Sequence, residues 1–102
     1  MREQAIQTAI TKYIEKQGGY WVKVVTASKS GVPDLLVCAP TVITQDMVGQ
    51  TIGCFIGLEV KTATGKPSEL QLYNIEKIQK ACGLAGVVRS VEDVKALLSS
   101  PE

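Results

Sequence analysis

The sequence predicts an α/β fold with the element order α-β-β-β-α-β-α. Apolar residues recur at three- and four-residue spacing in three separate stretches, which is the pattern of amphipathic helices. Between those stretches lie four short runs of β-branched and aromatic residues, bounded by glycine, proline and polar turns. A third observation says where the chemistry lies. Two of the strand runs, Gly31-Val32-Pro33-Asp34-Leu35-Leu36-Val37 and Ile56-Gly57-Leu58-Glu59-Val60-Lys61, each carry an acid among apolar neighbours. An isolated carboxylate is costly to bury, and so is a lysine in the same strand. One acid and one base make a structural ion pair. Two acids and a lysine converging from neighbouring strands point to a metal site with a proton-handling partner.

Taken in order, Met1 to Gln17 reads as a helix with Ile6, Ala9, Ile10, Tyr13 and Ile14 on one face, stopped by Gly18-Gly19. Glu3 falls on the same side of that helix as Ile6 and Ile10, so the first turn aims an acid toward the core side. The alternative is a carboxylate placed to favour the helix N-terminus. Tyr20 to Val25 is a strand by composition, and Thr26 to Gly31 is a polar loop. Val32 to Ala39 is the second strand, with Pro33 near its start, where a missing donor does least harm. Thr41 to Gln50 has no clean period and reads as a long hairpin connection. Thr51 to Thr62 is the third strand. It is apolar almost without break until Glu59, which implies burial on both faces. Ser68 begins a helix that runs to about Cys82. Ser68 and Gln71 have capping-box spacing, yet Gln71 also shares a face with Ile75, Ile78 and Cys82 and so points inward. Gly86 to Arg89 is a short fourth strand, and Ser90 caps a last helix with Glu92 and Asp93 in its first turn.

The 102 residues predict one domain, 1-102, with no internal repeat or linker. The apolar runs are too short to span a bilayer and no signal-peptide pattern opens the chain, so a cytoplasmic protein with no membrane partner is expected. Cys38, Cys54 and Cys82 are odd in number, widely spaced and set among apolar residues, which predicts small hydrophobes in a reducing compartment. Histidine is absent. That excludes Ser-His-Asp and Cys-His catalysis within this chain, and it leaves oxygen as the main metal donor, which suits Mg²⁺ or Mn²⁺. A net charge of +1 argues against a nucleic-acid partner in general. A local lysine cluster over an acidic site can still take a phosphate.

Glu59 and Lys61 are two apart on a strand and project from one face together. Two carboxylates can hold a divalent cation, and the lysine can orient or deprotonate an attacking water or stabilise charge on a phosphate. On chemistry alone this is a phosphodiester-hydrolysing site. A bare Asp…Glu-x-Lys pattern is weak. It is sharpened here by the Gly31-x-Pro33-Asp34 turn into a strand, by the αβββαβ context, and by inward Glu3 and Gln71 on the flanking helices.

On these residues the sequence resembles the PD-(D/E)xK nuclease superfamily, and more closely a stand-alone VRR-NUC (virus-type replication-repair nuclease) domain. The resemblance runs from Glu3 to Val88-Arg89. It implies a restriction-endonuclease-like αβββαβ core, with a mixed central sheet flanked by helices and a C-terminal helix added. It implies that Asp34, Glu59 and the Val60 carbonyl ligate Mg²⁺ or Mn²⁺ with help from Glu3, that Lys61 serves the attacking water, and that Gln71 positions the site. No organic cofactor is implied. One departure stands out: the family is named for Val-Arg-Arg, and this chain has Val88-Arg89-Ser90. Small members of this kind occur in phages and bacteria. They are similar to Holliday-junction resolvases and are expected to be homodimers acting on branched DNA in replication, repair or recombination, in the cytoplasm of a bacterial or phage-infected cell.

Lys23, Lys29, Lys66 and Arg89 are the candidates for DNA phosphate contact, as a group. Val42, Ile43, Met47 and Val48 are candidates for a dimer surface, with packing against their own sheet as the alternative. Trp21, Tyr20 and Tyr73 are expected in the core rather than stacked on bases. Two other functions compete with a structure-selective endonuclease: a sequence-specific restriction-type nuclease, and a non-catalytic DNA-binding module on the same fold.

Overall fold

The computed structural model describes residues 2–99. Among them the elements follow the expected order: α1 Glu3–Lys16, β1 Tyr20–Lys23, β2 Leu35–Cys38, a short 3₁₀ turn at Gln45–Met47, β3 Ile56–Val60, α2 Glu69–Lys80, β4 Leu84–Val88 and α3 Val91–Ser99. The four strands form one mixed sheet in the order β1-β2-β3-β4. β1 and β2 are antiparallel, as are β2 and β3, while β3 and β4 are parallel and joined through α2. No helix of the described residues is long and apolar enough to cross a membrane.

Helix α1 buries Ile6, Ile10 and Ile14, one residue per turn, and these meet Leu35, Val37, Leu58, Val60, Val88 and Val94 in a single core. Gly18, at φ 83°, closes α1 in the left-handed conformation that favours glycine. β3 is buried along its whole length, as its unbroken apolar run predicts. Its Leu58 and Val60 face α1 and α3. By strand alternation, Gly57 and Glu59 face the other way, toward α2.

The strands are shorter than their compositions suggest, and prolines flank β2 on both sides. The last β1–β2 bond runs from Val24 N–H to the Asp34 carbonyl, 2.8 Å, and Pro33 before it has no N–H to offer toward β3. Asp34 lies just before β2 rather than within it. At the far end Pro40 follows β2, and the stretch before β3 is tied only toward β4, by bonds from Leu84 N–H to the Phe55 carbonyl, 3.0 Å, and from Gly53 N–H to the Cys82 carbonyl, 2.8 Å. The Gly31-Val32-Pro33-Asp34 turn is pressed against two other elements. Gly31 has φ 81°, and a Cβ there would meet the Leu70 side chain of α2 at 2.7 Å. Pro33 sits on Gly57, where a Cβ would meet its Cγ at 2.8 Å. The motif glycine and proline thus fix the approach of Asp34 between α2 and β3.

Two expectations fail. The cysteines are exposed rather than packed: Cys38 alternates outward on β2, and Cys82, at φ 69°, forms the left-handed exit of α2. Tyr20 is exposed too, at 69%, because the face of β1 and β2 that α2 leaves open has no helix over it, and Tyr73 is exposed on α2 itself. Only Trp21 packs against the core. Val42, Ile43 and Val48 are also open to solvent, so they do not pack on their own sheet, while Met47 is half-buried.

Candidate active site

Three neighbouring chain ends meet at one end of the sheet: the start of β2, the end of β3 and the first turn of α2. Asp34 comes from the first. Its Oδ2 accepts the Val60 N–H at 2.8 Å, a side-chain bond across to β3 just beyond the last paired residues, Leu35 and Leu58. A strand residue's N–H and C=O point to the same edge, so the Val60 carbonyl also faces Asp34. Glu59 comes from the second, 1% exposed, on the same face of the sheet as Asp34. Lys61 follows two residues on, just past the end of β3. Its Nζ is 3.8 Å from Glu59 Oε2, and its side chain is 19% exposed.

Gln71 supplies the third wall, and it does both things its spacing suggests. Its Oε1 accepts the Ser68 N–H at 2.8 Å while the Ser68 hydroxyl oxygen accepts the Gln71 N–H at 3.1 Å, a complete capping box. Its Nε2 donates to Glu59 Oε2 at 3.0 Å. The cap holds the amide oxygen, which leaves the amide nitrogen aimed at the buried acid.

The carboxyl of Glu59 is pushed up to about 8, first by burial, then by the charge of Asp34 and a hydrogen bond with it; Lys61 opposes the rise and Glu3 adds a little to it. A negative neighbour and burial both favour the protonated form of Glu59. Glu59 Oε1 is buried and has no fixed donor. A buried oxygen without a donor, a second carboxylate beside it and a backbone carbonyl on the same edge form a donor set that suits a hard divalent cation. Such a cation would replace the proton on Glu59 and serve the orphaned oxygen.

The remaining candidates lie farther out. Glu3 is exposed, contrary to its place on the helical wheel, because it sits at the open end of the Ile6-Ile10-Ile14 stripe. It is near enough to act on Glu59 through space. Among the described residues, no three or more His, Cys, Asp or Glu side chains form a group that could hold a metal ion. The carboxylates that converge are Asp34 and Glu59. Lys29 and Lys66 are exposed in the loops flanking the site. Lys23, also exposed, donates to Gln7 Oε1 at 2.7 Å. Arg89 turns inward: its Nη1 donates to the carbonyls of Thr62 and Gly65. It braces the turn between Lys61 and Lys66. Sequence pattern alone missed this role, since nothing in Val88-Arg89-Ser90 tells which carbonyls the arginine will find.

No family model matches the sequence, and no curated protein does. Solved structures are similar to it. One, described as "VRR_NUC domain", is 29% identical, covers 98% of this chain and 97% of that chain, and has a TM-score of 0.73. Another, described as "VRR_NUC domain protein", is 16% identical, covers 96% of this chain and 85% of that chain, and has a TM-score of 0.68, a likeness of fold alone.

Proposed function

From the premise that the chain is a VRR-NUC domain of nuclease type, we propose that it is a metal-dependent DNA endonuclease that hydrolyses phosphodiester bonds in branched DNA. The observation that carries the reading is the cluster of Asp34, Glu59 and Lys61, in which a buried acid keeps one oxygen without a donor. Asp34, Glu59 and the Val60 carbonyl would hold Mg²⁺ or Mn²⁺, and Glu3 would reach it through water. The cation supplies Lewis-acid stabilisation of the phosphate and lowers the pKa of a bound water. The protein's own residues do the rest. Lys61 places a positive charge where the phosphate's negative charge grows and hands protons to and from the water. Gln71 fixes the Glu59 carboxylate through its amide. Lys29 and Lys66 on the flanking loops meet phosphates on either side, and Arg89 holds the turn that carries Lys66.

The test is cleavage of a four-way junction, a splayed arm and a linear duplex, each with Mg²⁺, Mn²⁺ or chelator. Metal-dependent cutting of the branched substrates is expected. Equal cutting of the duplex at one fixed sequence would replace this reading with a restriction-type nuclease. Junction binding with no cutting would replace it with a non-catalytic module.

The active form is proposed to be a homodimer. Tyr20, Val22, Leu36 and Phe55 are exposed around an apolar groove, on the side of β1 and β2 that also bears Asp34. Apolar side chains gathered in one exposed groove are the composition of a homodimer interface core. Sedimentation should give twice the 10.9 kDa chain mass, and Leu36→Glu should halve it. A wild-type monomer at the highest soluble concentration rules the dimer out.

A further inference from the structure

A second groove runs along the opposite side of the sheet, between α1 and the free edge of β1. It encloses about 520 Å³, within the ~300–1,000 Å³ of ordinary ligand sites. Its α1 wall is a single helical stripe of Glu3, Gln4, Gln7 and Thr8, with Thr11 at its end; its β1 wall is Trp21 and Lys23. Exposed helix faces are usually covered with charges, yet four of these five helical positions are neutral hydrogen-bonding groups. They offer donors and acceptors without repelling a polyanion.

The groove opens beside the carboxylates. Glu3 lies at its mouth and is close enough to act on Glu59. Lys23 is followed by Val24, whose N–H bonds the Asp34 carbonyl at 2.8 Å, so the lysine stands at the same end of the sheet as the acids. Two of its groups are held in place. Lys23 donates to Gln7 Oε1 at 2.7 Å, which uses one of the ammonium's three protons. The Trp21 indole N–H donates to Glu15 Oε2 at 2.8 Å, which fixes the ring by its edge. Trp21 and Lys23 share one face of β1, two residues and roughly 6.7 Å apart. An aromatic ring beside an anchored cation is the arrangement that holds a base and a phosphate of an unpaired strand. Paired bases have their faces covered and offer such a ring nothing.

We propose that the α1–β1 groove binds an unpaired DNA strand next to the cleavage site, with a base on Trp21 and its phosphate on Lys23. This rests on the nuclease reading and gives it a physical source of preference for branched substrates. Gln4, Gln7 and Thr8 contact the strand's sugars and base edges.

Trp21 is the only tryptophan in the chain, so its fluorescence reports on this groove alone. The 102-residue chain, in chelator, is titrated with an oligothymidylate of roughly eight nucleotides, a length one small binding groove can engage. Quenching of Trp21 emission is expected, with the midpoint moved about tenfold by Lys23→Ala and not moved by Lys80→Ala, an exposed lysine on α2 far from the groove in sequence. Unchanged emission, or equal midpoints for Lys23→Ala and Lys80→Ala, overturns the proposal, and metal-dependent cutting of the four-way junction by the wild type would then leave the nuclease reading standing. Quenching with the Lys23 dependence, in a protein that cuts no substrate, keeps the strand site and removes the nuclease.

Discussion

Lys61→Ala lowers the metal-dependent cleavage rate by about 10³-fold, while the protein folds as before. Lys61 is the cation that faces the buried acids, 3.8 Å from Glu59 Oε2. A group that acts on developing charge or moves a proton is worth about 10²–10⁴ in rate. Stability changes little, because Glu59 responds to the loss of its positive neighbour by holding its proton more tightly. Lys61→Arg does not restore the rate, since a planar guanidinium fork does not fit the place of a compact ammonium. Single-turnover cleavage beside thermal unfolding checks both halves. A rate within tenfold of wild type would show that the lysine takes no part in the chemistry.

The second large effect is on stability. In chelator, the wild-type protein loses stability as the pH rises from about 4.5 to about 8. Glu59 gives up its proton near 4.5 in the unfolded chain and near 8 in the folded one. Below 4.5 both states are protonated and the contribution is whole. Between the two values only the folded state holds the proton, so the unfolded state is favoured progressively. Above 8 the loss is complete, on the order of 5 kcal/mol. That is a large part of the 5–15 kcal/mol, roughly, that holds a domain of this size folded. Glu59→Gln removes the slope, because the amide stays neutral, still accepts from Gln71 and presents a donor to Asp34. Mg²⁺ or Mn²⁺ at pH 8 restores the wild type and leaves Glu59→Gln unchanged. Chemical denaturation at pH 5, 6.5 and 8 reads this directly; a flat wild-type profile in chelator would mean that Glu59 is ionised throughout.

The element order was legible because each helix repeats apolar residues at its own period and β3 is apolar on both faces. The pairing of Glu59 with Lys61 followed from strand alternation alone. Gln71 was legible in both of its roles, yet only the three-dimensional placement of α2 over β3 shows that one amide performs them together. Other features depend on neighbours that local pattern does not contain. Tyr20 has the composition of a core aromatic, but whether a helix covers that part of the sheet is decided by where α2 returns. Glu3 fits the inward face of an ideal wheel and still lies in the open, since the turn it occupies has no sheet beneath it. Arg89 reads as a phosphate ligand until the Thr62 and Gly65 carbonyls come within its reach.

The bond between Asp34 and the Val60 N–H has a consequence for how this site can change over generations. The carboxylate is a rung of the sheet as well as a member of the site, because it accepts the Val60 N–H just beyond the last β2–β3 pair. A lineage that gave up the chemistry would not be free to let residue 34 drift. It would have to keep an oxygen there to close the ladder between β2 and β3. Asparagine retains that oxygen and discards the charge, so it is the substitution by which the scaffold could outlive the reaction.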